Sequence, residues 1–256
     1  MKILAIGDVV GAAGTQYLSE GRRLSRLRDS LGADLVIVNA ENAAPGNGTS
    51  LESARTLLDA GADVLTGGNH TFRRKDYFTA LDDEDHFLRP ANFPSAAPGH
   101  GWCITECAGW RLLVMNLLGC VYMEAMASPF ETADRILKEN AGKYDAAVVD
   151  FHAEATSEKI ALARYLDGRV SAVFGTHTHV ATADAQILPG GTGYITDLGM
   201  CGSHAGILGV AAEPIIQKFL TKMPVPFTPA EGDVRLHGAL FEIKDGKCTA
   251  VESVRG

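Results

Sequence analysis

Residues 169–179, with the sequence RVSAVFGTHTH, combine a short β-rich apolar run with two histidines that follow it directly. Residues two apart in an extended chain point to the same side, so the imidazoles of His177 and His179 can face one site. Taken alone, two histidines at a strand exit could also be surface or capping groups. Neutral imidazoles are, however, the commonest metal ligands in proteins. The segment therefore predicts a strand that presents a pair of metal ligands at its carboxyl end.

Four earlier strand-like runs end in polar residues of the same kind. These residues are Asp8 after KILAIG, Glu41 and Asn42 after DLVIVNA, Asn69 and His70 after DVLTGG, and His152 after DAAVVDF. In open α/β sheets, ligands bind outside the carboxyl ends of parallel strands, where such side chains converge. The pattern therefore predicts one shared site and not five unrelated strand ends.

The order of the predicted elements indicates an α/β fold. Short β-rich runs alternate with helical stretches in the earlier part of the chain, which implies parallel strands joined by crossover helices. The late runs 235–243 and 247–254 flank Asp245-Gly246, a strong hairpin signal that implies an antiparallel portion. Helices are predicted over 157–166 and 214–220. Two packed mixed sheets with helices outside satisfy both patterns, and no linker interrupts the chain, so residues 1–256 are expected to form a single domain.

The composition excludes several classes of protein. With 23 Lys and Arg against 31 Asp and Glu, the net charge of −8 excludes a broadly basic surface for nucleic acid. The apolar runs are far shorter than the roughly 20 residues of a membrane helix, and the first is too short for a signal-peptide core. A cytoplasmic protein without a membrane partner is therefore expected. Five cysteines without a C-x-x-C pair argue against a disulfide framework and a thiolate zinc site.

The candidate ligands indicate which metals would bind. Carboxylate, amide and imidazole groups favour divalent ions such as Mn, Fe, Mg or Zn. The set is large enough for two adjacent ions that share one carboxylate. Asp8 and Glu41 contribute −2 against +4 from two such ions, so the site would carry +2 and could hold a phosphate that the overall charge repels. Neither a phosphate-binding glycine motif nor a G-x-S-x-G nucleophile motif is present.

At these positions the sequence resembles the calcineurin-like metallophosphoesterases. The motifs of that superfamily stand here as Gly7-Asp8, Glu41-Asn42, Gly68-Asn69-His70, His152 and Gly175-Thr176-His177-Thr178-His179. Two features depart from the usual pattern. The usual Asp-x-His motif is Asp-Val-Val at residues 8–10, and Asn42 could supply the ligand in place of the missing histidine. The usual bridging aspartate is replaced by a glutamate, Glu41. These departures, and segments such as 36–48 (VIVNAENAAPGNG) and 150–159 (DFHAEATSEK), resemble the YmdB-like branch of the superfamily.

The resemblance implies a four-layer α/β/β/α sandwich of two mixed sheets and a centre of two divalent metal ions. Fe or Mn are the expected ions, with Mg or Zn as alternatives. It implies that one ion binds Asp8, Glu41, Asn42 and His179, and that the other binds Glu41, Asn69, His152 and His177, so that Glu41 is the bridge. It also implies hydrolysis of cyclic nucleotides, 2′,3′-cyclic nucleotides included, through attack on phosphorus by a hydroxide held between the ions.

Several other polar residues are candidates for roles around this centre. His70 could donate a proton to the leaving alkoxide, or it could hold the neighbouring Asn69 in place. Asn92 and His204 are candidate substrate contacts, although Asn92 could equally form an Asx turn before Phe93. Four acidic residues could orient imidazoles or could simply be surface charges: Asp150, Glu154, Asp184 and Asp197.

The same sequence features are compatible with other functions. Amidohydrolase-type barrels also use His-x-His, but at their first strand, whereas here it follows the seventh strand-like run. A phosphomonoesterase, or a regulatory protein that keeps the site to bind a nucleotide or a protein, would carry the same ligands. Few basic residues accompany the motifs to hold the second charge of a monoester, with Arg73 and Arg74 the nearest, so a 2′,3′-cyclic diester is the expected substrate. The sequence leaves open whether the chain forms a homo-oligomer.

Overall fold

The structure is a computed structural model that describes residues 1–256. It contains the strands β1 (Lys2–Ile6), β2 (Asp8–Val9), β3 (Leu35–Asn39), β4 (Val64–Thr66), β5 (Trp102–Cys107), β6 (Trp110–Leu118), β7 (Ala146–His152), β8 (Ala172–Thr176), β9 (Gln186–Ile187), β10 (Gly193–Ile195), β11 (Met200–Ser203), β12 (Val234–Arg235), β13 (His237–Lys244) and β14 (Lys247–Arg255). It also contains the helices α1 (Gly11–Ser19), α2 (Arg23–Leu31), α3 (Leu51–Ala60), α4 (Lys75–Phe78), α5 (Pro129–Glu139), α6 (Thr156–Tyr165) and α7 (Ala212–Thr221). None of these helices has the length and apolar character needed to cross a bilayer.

Two large mixed sheets form the framework. The first has the order β14-β13-β1-β3-β4, in which β1, β3 and β4 are parallel and β13 and β14 are antiparallel to their neighbours. The second has the order β5-β6-β7-β8-β10-β9, with β6, β7, β8 and β10 parallel and the outer strands antiparallel. The predicted pair of mixed sheets is confirmed. Because both sheets are open and mixed, the alternative of an amidohydrolase-type barrel is wrong.

Because successive side chains of a strand point to opposite faces of its sheet, the fold has four layers. The inner faces of the two sheets share one apolar core that includes Ile3, Ile37, Val114, Val148, Phe174 and Phe241. On β1, Leu4 belongs to a second core with Leu57 of α3, and on β7, Val149 belongs to a third core with Ile136 of α5. Neighbouring residues of one strand thus point to opposite faces of the sheet and pack in different cores, as the two-residue period of a strand requires. The predicted α/β/β/α sandwich is confirmed.

The local signals in the sequence explain where elements turn and end. Asp245 and Gly246 have φ angles of 52° and 75°, which match the turn that joins the β13–β14 hairpin. Ser50 caps α3 by accepting a hydrogen bond from the backbone N–H of Ser53. The helices predicted over 157–166 and 214–220 are α6 and α7, and both begin slightly earlier than predicted.

A small third sheet, β12-β11-β2, was not predicted. In it, Met200 and Cys201 of β11 pair in parallel with Asp8 and Val9 of β2. Its strands have the sequences Asp-Val, Met-Cys-Gly-Ser and Val-Arg, and none contains an apolar run of more than two residues, so they carry no strand signal. This sheet holds Asp8 at the edge where the large parallel strands end.

Candidate metal centre

All seven predicted metal ligands lie at one edge of the sandwich, where parallel strands end. Asp8 lies in β2, Glu41 and Asn42 follow β3, Asn69 follows β4, His152 ends β7, and His177 and His179 follow β8. The side chains of Asp8, Glu41 and His152 are at most 1% exposed. The two sheets therefore bring together polar groups that are far apart in the chain and remove them from water.

The first group of donors surrounds His152. Its Nε2 atom lies 3.2 Å from Oε2 of Glu41, 3.0 Å from Nδ1 of His177 and 3.1 Å from Oδ1 of Asn69. The ligand atoms of Glu41, His152 and His177 lie within 4.8 Å of one another, a spacing that could hold a metal ion. This group is the set predicted for one of the two ions.

The second group surrounds His179. Its Nε2 atom lies 3.7 Å from Oδ1 of Asp8 and 3.4 Å from Nδ2 of Asn42. Asn42 in turn donates a hydrogen bond of 2.7 Å to Oε1 of Glu41. The residues predicted for the other ion therefore also converge, and Glu41 is the carboxylate common to both groups.

Two observations show that a cation fits this site. Oδ1 of Asp8 is buried and has no hydrogen-bond partner, although buried carboxylate oxygens are normally paired. A Cβ atom on Gly68 would lie 2.3 Å from Oε2 of Glu41 and 2.4 Å from Nε2 of His152, so only glycine lets the backbone pass behind the donors. A divalent ion would satisfy the unpaired oxygen without any change of fold.

The pKa values of the candidate ligands, which we call the cluster, agree with this fit. Burial raises the pKa of Asp8 to about 6, because the charged carboxylate has lost its water. Burial also opposes charge on His152, but Glu41 and Asp8 outweigh it and raise the pKa of that imidazole to about 9. Burial and the neighbouring His152 lower the pKa of His177 to about 3, so that ring is neutral and can act as a ligand. A divalent ion held among these groups would offset the charges of Asp8 and Glu41.

A buried polar network below the cluster orients His152. Its Nδ1 atom lies 2.9 Å from the hydroxyl of Thr176, which donates a 2.7 Å hydrogen bond to Asp150. Asp150 also accepts hydrogen bonds from Thr66 (2.5 Å) and Asn39 (3.0 Å), which belong to the other sheet. The chain of hydrogen bonds places a proton on Nδ1 and leaves Nε2 of His152 free as a ligand atom.

The four acidic candidates have different positions. Glu154 orients an imidazole, because its Oε2 atom lies 3.1 Å from Nε2 of His177. Asp150 acts on His152 through Thr176, as described above. Asp197 accepts a hydrogen bond from the backbone between the two histidines of the His-x-His motif. The side chain of Asp184 accepts hydrogen bonds from Thr182 and from Thr196, which follows β10, and it contacts no imidazole.

His70 contacts the shared carboxylate. Its backbone N–H donates to Oε2 of Glu41 at 3.0 Å, and its Nδ1 atom lies 3.1 Å from Oε1 of Glu41 and 2.9 Å from Oδ1 of Asn42. The ring has no hydrogen bond to Asn69, so the alternative in which it holds that ligand in place has no support here. Its Nε2 atom has no protein partner, and its side chain is 19% exposed.

The two expected substrate contacts lie outside the cluster. Asn92 donates to the backbone oxygens of Leu118 (2.8 Å) and Ala127 (3.0 Å) and accepts from the N–H of Leu118, so its amide ties two loops together. We therefore leave Asn92 out of the site. His204 packs against His237 with ring centroids 4.8 Å apart and forms no hydrogen bond to the candidate ligands.

Sequence reasoning missed Asn39, Thr66, Thr176 and Lys159. Each is a polar residue that the structure buries completely or almost so, at 0–1% exposure. The first three occupy strand ends that are otherwise apolar, and that mismatch with a buried environment was the signal available in the sequence.

Comparison with known proteins agrees with the geometry. The sequence profile of the YmdB-like protein family matches residues 4–254. A protein of Bacillus subtilis (strain 168), named 2′,3′-cyclic-nucleotide 2′-phosphodiesterase, is 46% identical over 255 residues, which cover 100% of this chain and 96% of that protein. Together with the site, this match over nearly the whole chain carries the family assignment.

Solved structures show the same similarity. A crystal structure of a hypothetical protein from Thermus thermophilus matches with a TM-score of 0.94 and 41% identity, covering 100% of this chain and 99% of that one. A crystal structure of a novel phosphatase from Mycoplasma pneumoniae matches with a TM-score of 0.93 and 34% identity, covering 100% and 93%. On the combined ground of its strand-end ligands, its sandwich of mixed sheets and these matches, the chain belongs to the YmdB-like protein family.

Proposed function

We propose that the chain is a metal-dependent phosphodiesterase that hydrolyses 2′,3′-cyclic nucleotides. The observation that carries the proposal is the position of the buried Glu41, which lies within both groups of donors and is suited to join two metal ions. The name of the Bacillus subtilis relative, which is similar over the full chain, supports this substrate class.

The metal ligands are proposed as two sets of four. Asp8, Glu41, Asn42 and His179 would hold one ion, and Glu41, Asn69, His152 and His177 would hold the other. Oxygen and imidazole donors without thiolate suit Fe or Mn, with Mg or Zn as alternatives. When bound, such ions supply Lewis-acid polarisation of the phosphoryl group and activation of water.

The charges around the site favour a diester over a monoester. Two divalent ions together with the carboxylates of Asp8 and Glu41 would give the site a net charge of +2. This charge suits the phosphoryl group of a monoester or of a diester. The second charge of a monoester dianion would need further cations. Arg73 is exposed, Arg74 donates to the backbone oxygens of Pro45 and Asn47, and Lys159 donates to Asp197. The described residues thus provide no free buried cation beside the ligands, and a diester monoanion needs none.

We assign His70 the role of proton donor to the leaving alkoxide. Its Nδ1 atom is held by Glu41 and Asn42, while Nε2 is left without a protein partner for the substrate. Oε1 of Glu41, 3.1 Å from Nδ1, helps to fix the orientation of the ring. General acid assistance of this kind contributes roughly 10²–10⁴-fold to rate.

The test compares kcat/KM for 2′,3′-cyclic AMP and 3′-AMP on one Mn²⁺-loaded preparation. Faster turnover of the cyclic diester is expected. Faster phosphate release from 3′-AMP would show a phosphomonoesterase and contradict the diesterase proposal. Binding of the nucleotide without turnover of either compound would favour a regulatory role and also contradict it.

A further inference from the structure

We propose that the buried ion pair between Lys159 and Asp197 is a positioning device that holds the His-x-His loop in its ligand-binding shape. The inference rests on the proposed metal-binding function. Nζ of Lys159 lies 2.6 Å from Oδ2 of Asp197, and both side chains are 1% exposed. The other pairs of Lys or Arg with Asp or Glu lie at the surface, so this pair is the one whose charges are both removed from water.

Asp197 is bonded to the loop at the point between its two ligands. Its Oδ2 atom, the one that contacts Lys159, accepts a hydrogen bond of 3.2 Å from the backbone N–H of Thr178. Thr178 separates His177, a ligand in one group, from His179, a ligand in the other. A shift of the Asp197 carboxylate would therefore displace donors of both proposed metal sites.

The loop needs such support because its backbone is in an unfavourable conformation. His177 and His179 have φ angles of 99° and 63°, in the left-handed region that residues other than glycine avoid. Conformations of this kind persist only when the surroundings impose them. The hydrogen bond from Thr178 to a fixed, buried carboxylate is one constraint that imposes this shape.

The same carboxylate supports the strand that carries Asp8. Oδ1 of Asp197 accepts a 2.8 Å hydrogen bond from the N–H of Gly199, whose oxygen accepts a 3.1 Å bond from the N–H of Asp8. Asp8 in turn accepts a 3.0 Å bond from the N–H of His177. Asp197 thus links the two segments that close the metal centre on this side.

Lys159 is what allows an ionised carboxylate to occupy this position. A buried carboxylate without a partner is strongly unfavourable, and Lys159 is the cation that meets it. The lysine stem reaches Asp197 beside Gly175, where a Cβ atom would lie 2.9 Å from Cδ of Lys159 and 1.8 Å from the backbone oxygen of Thr196. The glycine of the Gly-x-His-x-His segment therefore lets the backbone of Thr196 and the stem of Lys159 pack against it.

The first test removes both charges, so that no charge is left buried alone. The variant Lys159→Met/Asp197→Asn is compared with wild type in a titration of metal-stripped protein with Mn²⁺, with circular dichroism to verify the fold. We expect a folded protein whose Mn²⁺ affinity is at least about 10-fold weaker, in line with other residues that orient ligands. The control is Arg111→Met/Asp145→Asn, which removes a 2.7 Å pair at the surface and should bind Mn²⁺ like wild type. Wild-type affinity in the folded Lys159/Asp197 variant would overturn the proposal.

A second measurement uses the wild-type protein and so does not depend on the folding of a variant. If Asp197 holds the loop before metal binds, the Thr178 amide of metal-free protein should exchange slowly with D₂O, as followed by NMR. Rapid exchange of that amide, at the rate of an unprotected loop, would overturn the proposal. Absence of Mn²⁺ binding by wild type would instead contradict the proposed function, while the amide measurement would still test the loop.

Discussion

Nδ1 of His70 lies 3.1 Å from Oε1 of Glu41, the carboxylate shared by both groups of candidate ligands. The same glutamate accepts the backbone N–H of His70 through its other oxygen, Oε2, at 3.0 Å. The residue proposed to donate a proton is therefore attached, through side chain and main chain, to the residue proposed to join the two ions. This contact places the imidazole beside the candidate metal centre, and His70 is not one of the proposed ligands.

Replacing Glu41 should empty both metal sites. In Glu41→Ala, neither group of donors keeps its common carboxylate, so we expect well under one ion per chain by elemental analysis after loading with Mn²⁺. Asn69→Ala is the matched control, because Asn69 belongs to one group only and its loss should mainly weaken one ion. Retention of two ions by Glu41→Ala would contradict the shared-ligand arrangement, as would a wild type that never exceeds one ion.

Replacing His70 should separate proton donation from metal binding. His70→Gln is expected to retain both ions and to lose about 10²-fold or more in kcat on 2′,3′-cyclic AMP, whose leaving group is an alkoxide. A diester with a nitrophenolate leaving group needs little protonation and should lose much less. Equal losses on both substrates would show that His70 acts through Glu41 or Asn42 and not as an acid.

Replacing Thr176 should loosen His152. Thr176→Val has nearly the same shape but removes the hydroxyl between Asp150 and His152, which leaves buried polar atoms unpaired. We expect a loss of about 1–3 kcal/mol in the free energy of unfolding by urea, together with Mn²⁺ affinity about 10–100-fold weaker. A variant with unchanged metal affinity would show that the hydroxyl does not orient the ligand.

A side chain at Gly68 should block the metal centre. The methyl group of Gly68→Ala would collide with Oε2 of Glu41 and Nε2 of His152, and relief of the collision would displace these donor atoms, so metal binding should be lost. Gly142→Ala is the control, because no atom lies within 4 Å of the added Cβ and only its φ of 79° is strained. Normal Mn²⁺ binding by Gly68→Ala would mean that the donors are not packed as described.

Much of the site was predictable because its signals are local. Short β-rich apolar runs predict the strands, and polar residues at their carboxyl ends, such as Asp8 and His152, mark where a ligand would bind. The Asp245-Gly246 turn and the helix of 157–166 follow from backbone preferences of a few neighbouring residues. The division of the ligands into two sets, which the family resemblance implied, stays a prediction, because Oδ1 of Asp8 lies 3.7 Å from Nε2 of His179 in one set and 3.8 Å from Nδ1 of His152 in the other.

What only the tertiary structure decided is which polar groups satisfy one another. Asn92 resembles a substrate contact in the sequence, but its amide is used by the backbone of Leu118 and Ala127. From the sequence, Asp197 could orient an imidazole or be a surface charge, but it is buried against Lys159, 38 residues earlier in the chain. Local sequence determines where strands and turns form, because backbone preference and hydrophobic period act over a few residues. The partner of a buried polar atom depends on the register in which two sheets pack, and that register is set by contacts between segments far apart in the chain.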